Sequence, residues 1–254
     1  MNVLKSLAIA LAMYSKLPVP NIEWEEKNMR YAMGFFPIVG VIIGALTLGV
    51  GQLLLLFTDC GKLFFSAVMT MIPVVVTGGI HLDGFADTID ALCSYGDRKR
   101  KLEILKDPHA GAFAVIGLCA CFLVSTALWS EIDVTMLPLA AWMYPLSRAL
   151  SGLSVVSFPS AKNSGLLKTF QEKADRKRVK RMLYAWIVVV TAGMVFMFQA
   201  AGAVVAASSW VMFFYYYKMS SKQFGGTTGD LAGYFLQMCE LVMLAVIVFA
   251  GGLY

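Results

Sequence analysis

The sequence predicts an all-α membrane protein, a polytopic bundle of about seven transmembrane helices with an extra N-terminal helix. Hydrophobic residues make up 59% of the 254 residues and charged residues only 15%, whereas a soluble domain carries about 25% charged residues. Apolar runs of roughly membrane length alternate with short polar connectors. We therefore expect residues 1–254 to form a single integral membrane domain.

The first apolar segment, Val3 to Tyr14, is shorter than the roughly 20 residues that span a bilayer. Lys5 and Lys16 flank this segment, and Pro18 and Pro20 end it. These features predict an interfacial or re-entrant helix. The same prolines interrupt the pattern of a secretory signal, which we therefore do not expect.

The predicted spans share long apolar stretches with few charges. They are residues 32–57, 63–77, 112–129, 136–158, 182–217 and 231–251. The run 182–217 is too long for one span, so we divide it near 199–202. Gly78 and Gly79 follow the short second span and predict a break or hinge. The stretch 81–109 is expected to be a polar connector.

Basic residues predict the orientation of these spans. Connectors 98–106, 162–181 and 218–222 are rich in Lys and Arg, whereas the turns 58–62 and 130–135 are poor in them. The positive-inside rule places the basic connectors in the cytoplasm. Every polar motif then lies on the cytoplasmic face of the cytoplasmic membrane. No stretch shows the basic and aromatic pattern of nucleic-acid binding, so no such partner is expected.

The most informative motif is an acidic stripe after the second span. Asp83, Asp87 and Asp90 are spaced i, i+4 and i+7, which places them on one face if the segment is helical. Such carboxylates repel each other unless a cation lies between them, and hard oxygen ligands suit Mg²⁺ or Mn²⁺. The alternative is a solvated helix face. We favour a metal because unpaired charge is costly beside a membrane-length apolar run.

A glycine-rich turn precedes the last span. It consists of Gly225, Gly226, Thr227, Thr228 and Gly229, followed by Asp230. Backbone N–H groups of such a turn, with the helix N-terminus behind it, can bind an anion. Loop closure is the alternative. Asp230 is either a fourth metal ligand or a helix N-cap.

Other charged residues complete the candidate site. Lys106 can meet a phosphate or neutralise a metal-bound carboxylate, and the neighbouring Asp107 either belongs to the same polar motif or is a helix cap. Arg148 and Glu240 lie within spans, where each costs about 3 kcal/mol or more. Arg148 is predicted to contact phosphate, with a structural Arg148–Glu240 pair as the alternative. His81 is a candidate general base or a structural hydrogen-bonding residue.

Acids for Mg²⁺, cationic side chains and an anion-binding turn indicate phosphoryl or nucleotidyl transfer, with a metal bridging a pyrophosphate. Two alternatives are a CDP-alcohol phosphotransferase and a secondary transporter. The aspartate motif of CDP-alcohol phosphotransferases contains an Ala-Arg pair. This sequence lacks that pair, because Phe85-Ala86-Asp87 stands in its place. A secondary transporter would require mid-bilayer charges in several spans.

Taken together, these motifs resemble the cobalamin synthase family. The resemblance rests on 79–92, 102–107 and 111–113, and it is supported by 225–230 with Glu240, by 14–20 and by Arg148. It covers nearly the whole chain. Leu105 stands where the family would have Met, and Lys16 stands where it often has Arg; neither departure removes a charge.

The resemblance implies the last assembly step of cobalamin. Adenosylcobinamide-GDP would give its cobinamide phosphate to α-ribazole or its 5′-phosphate, releasing GMP, with Mg²⁺ as the cofactor. Besides these substrates, membrane lipid is an expected partner, and a homo-oligomer or a complex with related enzymes stays open. The expected site residues are His81, Asp83, Lys106 and Arg148 for catalysis; Lys16, Gly225, Gly226, Thr227, Thr228 and Gly229 for anion binding; and Asp83, Asp87, Asp90 and Asp230 for the metal.

Overall fold

The structure, a computed structural model, describes residues 2–20, 22–23, 25–161 and 174–250. This part of the chain is helical, and its only pairing of strand type is an isolated bridge between Ser160 and Thr227. The helices are α1 Asn2–Tyr14, α2 Glu26–Met29, α3 Ala32–Phe57, α4 Lys62–Thr77, α5 Ile80–Cys93, α6 Arg98–Ile104, α7 Ala112–Trp129, α8 Leu137–Ser157, α9 Arg176–Gln223 and α10 Gly229–Phe249. Much of the predicted basic loop, including Lys162, Lys168 and Lys173, lies outside the described residues.

Four helices are long and apolar enough to cross a membrane, namely α3, α7, α9 and α10. The bent pair α4–α5 makes a fifth if it counts as one span. The all-helical class and several spans are therefore confirmed, but the count of about seven is not. The difference comes mainly from α8 and α9.

The α8 helix is the centre of the bundle. It packs against α3, α9 and α10, and nearly all of its side chains are buried. A helix surrounded by protein needs less hydrophobicity than one facing lipid, because polar side chains can find partners on its neighbours. This explains why α8 tolerates serines and Arg148 where the sequence predicted an ordinary span.

The long α9 helix is broken at Gln199, as the sequence predicted. Gln199 has a left-handed φ of 47° with ψ of −120°. A Cβ added at Gly202 would overlap the carbonyl oxygen of Met194, so the backbone after the break folds closely onto the residues before it. Both arms are apolar, and Val188 and Val189 on the first arm are exposed at 65% and 61%, as expected for lipid-facing residues.

The α4 and α5 helices meet at 98°. Gly78 and Gly79, with φ of 66° and 79°, supply the left-handed backbone that ends α4, so the predicted break is confirmed. The prediction of a polar connector over 81–109 is wrong, because α5 and α6 occupy most of it. Phe85 and Ala86 are buried, and packing of this apolar face against α10 stabilises α5 as a helix.

Glycines on α3 set its distance from α8. A Cβ at Gly40 or Gly44 would overlap the backbone of Tyr144 or Ala141 on α8. These glycines are four residues apart, the small-xxx-small spacing that brings helices together in membranes. By contrast, a Cβ added at Gly49 on the same helix would meet no neighbouring atom within 4 Å.

We expect Gly44→Ala to lower the free energy of unfolding by about 1–3 kcal/mol, because the added methyl group must push α3 away from α8. Gly49→Ala is the matched control and should be neutral or stabilising, since Ala is the better helix former. Denaturant unfolding of purified protein in detergent measures both variants. Equal stability of the two would contradict the contact.

Candidate functional site

The acidic stripe lies on α5, so its predicted helical spacing is confirmed. Asp83 is exposed, and Asp87 and Asp90 are half-buried. Within the described residues, no group of three or more His, Cys, Asp or Glu side chains is close enough to hold a metal ion. The assignment of these carboxylates to a metal therefore stays a prediction.

Asp90 interacts with the start of α7. Its Oδ1 accepts a hydrogen bond from the backbone N–H of Ala114 at 3.3 Å, and a Cβ added at Gly111 would overlap its carboxylate. A carboxylate at a helix N-terminus satisfies a free N–H group and meets favourable partial charge. Asp90 thus has a structural use, connecting α5 to α7 beside the motif Gly111-Ala112-Phe113.

Asp230 lies against α5. A Cβ added at Gly84 would lie 2.7 Å from the carbonyl oxygen of Asp230, and one at Gly233 would lie 3.0 Å from the carbonyl oxygen of His81. The first turn of α10 therefore packs directly on the helix that carries Asp83 and Asp87. The N-cap alternative for Asp230 is wrong, because Thr228 accepts the capping hydrogen bond from Leu231.

The acids of α5 and Asp230 are chemically of the kind that Mg²⁺ prefers. The ion is usually held by one or two carboxylates, with water and substrate phosphates completing its octahedron, and it rarely occupies an all-protein cage. The carboxylates of α5 are exposed or half-buried, and Asp230 lies in the first turn of α10, which packs on α5. Their oxygens are hard ligands of the required kind. A site of this kind needs no three-residue cluster.

The glycine-rich turn is built onto the end of α8. Gly225 and Gly226 have φ of 78° and 155°, and a Cβ at Gly226 would overlap the carbonyl oxygen of Pro159. The N–H of Thr227 donates to Pro159 O at 2.8 Å, and its buried hydroxyl bonds to that of Tyr216. Thr227 therefore holds the turn in place, whereas Gly229 is exposed at the start of α10.

Arg98 is a candidate site residue that the sequence reasoning missed. Its Nε donates to the carbonyl oxygen of Phe224 at 2.7 Å, and a Cβ at Gly225 would overlap its guanidinium. One turn further along α6, the buried Lys101 donates to Gln223 at 2.6 Å. The run of basic residues 98–101 was interpreted only as a topology signal, but its first residue lies on the predicted anion-binding turn.

A basic groove of about 620 Å³ runs along α6. Its lining carries more positive than negative charge and consists of Asp97, Arg98, Lys99, Leu102, Glu103 and Lys106. The structure thus brings Lys106 into the same groove as Arg98, next to the glycine-rich turn. A groove of this size and charge suits a phosphorylated ligand.

The segment after α6 ends in a local turn. Asp107 Oδ1 accepts a hydrogen bond from the backbone N–H of His109 at 3.0 Å and contacts its Nδ1 at 2.9 Å. These bonds hold the pKa of the exposed Asp107 carboxyl below its usual range. Asp107 does not cap α7, whose N-cap is Gly111.

Lys16 lies at the bend between α4 and α5. Its backbone N–H donates to Val76 O at 2.8 Å, and its side chain crosses Gly78, where a Cβ would overlap it. The residue is exposed. Its predicted contact with an anion stays a prediction.

Arg148 and Glu240 form a buried ion pair between α8 and α10, the alternative that the sequence left open. Arg148 and Glu240 are 0% and 5% exposed. Ser147 donates to Glu240 Oε1 at 2.8 Å, and Arg148 Nη1 donates to Tyr144 O at 3.2 Å. A phosphate contact for Arg148 stays a prediction, and this guanidinium already has a carboxylate partner.

His81 is buried beside this ion pair. Its ring lies 6.1 Å from that of Tyr14 and 5.7 Å from that of Phe36. With Arg148 and Glu240, it lines an interior cavity of about 40 Å³. Residues two apart on a helix point to nearly opposite sides, so the structure does not bring His81 to the exposed face of Asp83. The general-base role stays a prediction.

Helices with apolar outer faces, a buried ion pair and a basic groove beside an acidic helix are features of a helical membrane protein that binds anionic ligands. A family model described as cobalamin-5-phosphate synthase matches residues 6–248, and the chain belongs to this family. No solved structure matches the chain.

Several curated relatives carry the name adenosylcobinamide-GDP ribazoletransferase, among them proteins from three organisms. The protein from Lachnoclostridium phytofermentans is 44% identical, with 99% of this chain and 96% of the relative covered. The one from Clostridium botulinum (strain Eklund 17B / Type B) is 35% identical, with 96% of each covered. The one from Geobacillus kaustophilus is 31% identical, with 94% and 93% covered.

We expect Glu240→Ala to lower the free energy of unfolding by about 3–5 kcal/mol, because it leaves a buried guanidinium without its carboxylate. The double variant Arg148→Met with Glu240→Leu should be more stable than the single variant, since no unpaired charge remains. Unfolding in detergent compares them, with the exposed Glu131→Gln as control. A Glu240→Ala protein as stable as the unchanged one would show that the pair contributes little.

Proposed function

We propose that this protein is an adenosylcobinamide-GDP ribazoletransferase. It transfers adenosylcobinamide phosphate from the GDP-activated donor to α-ribazole, or to α-ribazole 5′-phosphate, and releases GMP. The observation that carries this proposal is the 44% identity to a relative of that name over 99% of the chain. The placement of the motifs around α5, α6 and the glycine-rich turn supports the same chemistry.

The basic groove binds the pyrophosphate of the donor. Arg98 lines it from the start of α6 and Lys106 from the turn after that helix, and the Arg98 guanidinium lies on Gly225. A guanidinium can donate two parallel hydrogen bonds to phosphate oxygens. The exposed N-terminus of α10 at Gly229 adds N–H groups and favourable partial charge. Lys16 contributes charge from the bend at Gly78.

Asp87, together with Asp83 or Asp230, would hold Mg²⁺, and water and substrate phosphates would complete its coordination. When bound, the ion would act as a Lewis acid and neutralise charge on the pyrophosphate. The carboxylates would also help to orient the donor, because an ion held by them would attract its phosphates.

In the transfer step, the acceptor hydroxyl oxygen forms a bond to the phosphorus of the cobinamide phosphate. The bond from that phosphorus to the oxygen of GMP breaks, and GMP leaves as an anion that Arg98 and Lys106 stabilise. The hydroxyl proton goes to a carboxylate of α5 that does not bind the ion. We place the proton acceptor there because His81 lies on the opposite side of the helix, beside the Arg148–Glu240 pair.

The site lies on the cytoplasmic face of the inner membrane in this proposal. Seven crossings result if α3, the α4–α5 pair, α7, α8, both arms of α9 and α10 each span once. The basic residues of α6 and of the start of α9 then lie in the cytoplasm, as the positive-inside rule requires.

We expect Asp87→Asn to reduce transfer by about 100-fold or more. An amide oxygen is a weaker Mg²⁺ ligand than a carboxylate oxygen, and the substitution also removes the negative charge that would balance the ion. The assay follows GMP release from adenosylcobinamide-GDP and α-ribazole across a Mg²⁺ titration. Asp59→Asn makes the same chemical change at an exposed turn and should retain full activity. Near-normal turnover of folded Asp87→Asn protein would refute the role.

We expect Arg98→Ala to lower kcat/KM for the GDP-activated donor by about tenfold to 100-fold, because the variant would lose a charged hydrogen bond to the donor's phosphate. Gly225→Ala should have a similar effect, because its methyl group would displace the guanidinium. Steady-state kinetics with varied donor measures both. Arg100→Ala, which removes the neighbouring exposed guanidinium, is the control, and equal losses at Arg98 and Arg100 would argue against a specific contact.

A further inference from the structure

An open groove lies between the starts of α1, α3 and α9. It measures about 520 Å³ and is lined by apolar residues with two arginines among them, namely Val3, Tyr31, Phe35, Arg178, Arg181, Met182 and Ala185. We propose that this groove binds an anionic glycerophospholipid. The phosphate contacts Arg178 and Arg181, and one acyl chain lies along the apolar wall.

The floor of the groove is a close helix contact. A Cβ added at Gly34 would lie 2.7 Å from Met182 Cε and 2.9 Å from its sulfur. The glycine therefore lets the Met182 side chain lie across α3, and Phe35 and Ala185 form the walls beside it. The result is an elongated apolar surface, which suits an acyl chain better than a soluble ligand.

The rim of the groove carries oriented positive charge. Arg178 Nη1 donates to the hydroxyl of Tyr31 at 2.8 Å, and its Nε lies 3.5 Å from the Asp175 carboxylate. These contacts hold the side chain at the groove while 61% of it stays exposed. Arg181 is three residues along α9, so it lies on the same helix face. Guanidinium groups match phosphate through paired N–H donors.

The position of the groove along the helices favours a lipid over a free anion. Residues 176–181 of α9 are strongly basic, and the apolar part of the helix follows at once. This change marks the level where headgroups meet acyl chains, and arginines there attract anionic lipid. The exposed Val188 further along α9 extends the apolar surface in the direction an acyl chain would take.

The test titrates purified full-length protein in detergent with phosphatidylglycerol or phosphatidylcholine of identical acyl chains, and counts bound lipids by native mass spectrometry. We expect the unchanged protein to bind one phosphatidylglycerol about tenfold more tightly than phosphatidylcholine, from two surface arginines. Arg178→Gln with Arg181→Gln should abolish this preference. Lys177→Gln with Lys180→Gln, which removes the same charge outside the groove, should preserve it.

A second variant tests the apolar part. Ala185→Phe fills the groove without changing charge, and it should weaken binding of both lipids about equally. If the two double variants lose the preference equally, the attraction is diffuse and the proposal is wrong. It is also wrong if Ala185→Phe leaves lipid binding unchanged, or if glycerol phosphate without acyl chains competes as well as the intact lipid.

Discussion

The candidate site depends on one close contact, between α5 and α10. Gly84 accommodates the backbone of Asp230, and Gly233 accommodates that of His81. Side chains at these positions would separate the helices, since small residues set how closely helices approach in a bilayer. The contact brings the acidic stripe, which lies early in the chain, to the glycine-rich turn near its end. Arg98 on α6 then reaches that turn from the other side.

The charged residues considered for the site divide into a buried ion pair and carboxylates on α5. Arg148 and Glu240 satisfy each other between α8 and α10, with Ser147 as an additional donor. Ionised groups in the middle of a membrane protein must pair in this way, so this ion pair joins helices. The carboxylates of Asp83 and Asp87 lie on α5 outside that interior pair and suit binding of an ion or a substrate.

Hydropathy predicted the helices that face lipid better than those that face protein. The bounds of α3 and α7 match the predicted spans because continuous apolar sequence both predicts and requires them. The α8 helix was also predicted as a span, but its hydropathy is below that of the lipid-facing helices. Its neighbours bury it, and a helix surrounded by protein can carry more polar residues. The stretch 81–109 was mistaken for a connector, because its polar residues concealed the apolar face, including Phe85, that packs α5 on α10.

The site itself was predictable only as a set of residue types, because its contacts join distant segments. Nothing local to Asp90 indicates that it would interact with the start of α7, nor does the basic run indicate that Arg98 would lie on Gly225. The acids of α5 consequently differ in availability. Asp90 is engaged by a helix N-terminus, whereas Asp83 is exposed. A divalent ion held by so few protein oxygens must take others from water and from the substrate's phosphates. Ion binding and donor binding would then be coupled, because each supplies ligands or charge that the other needs.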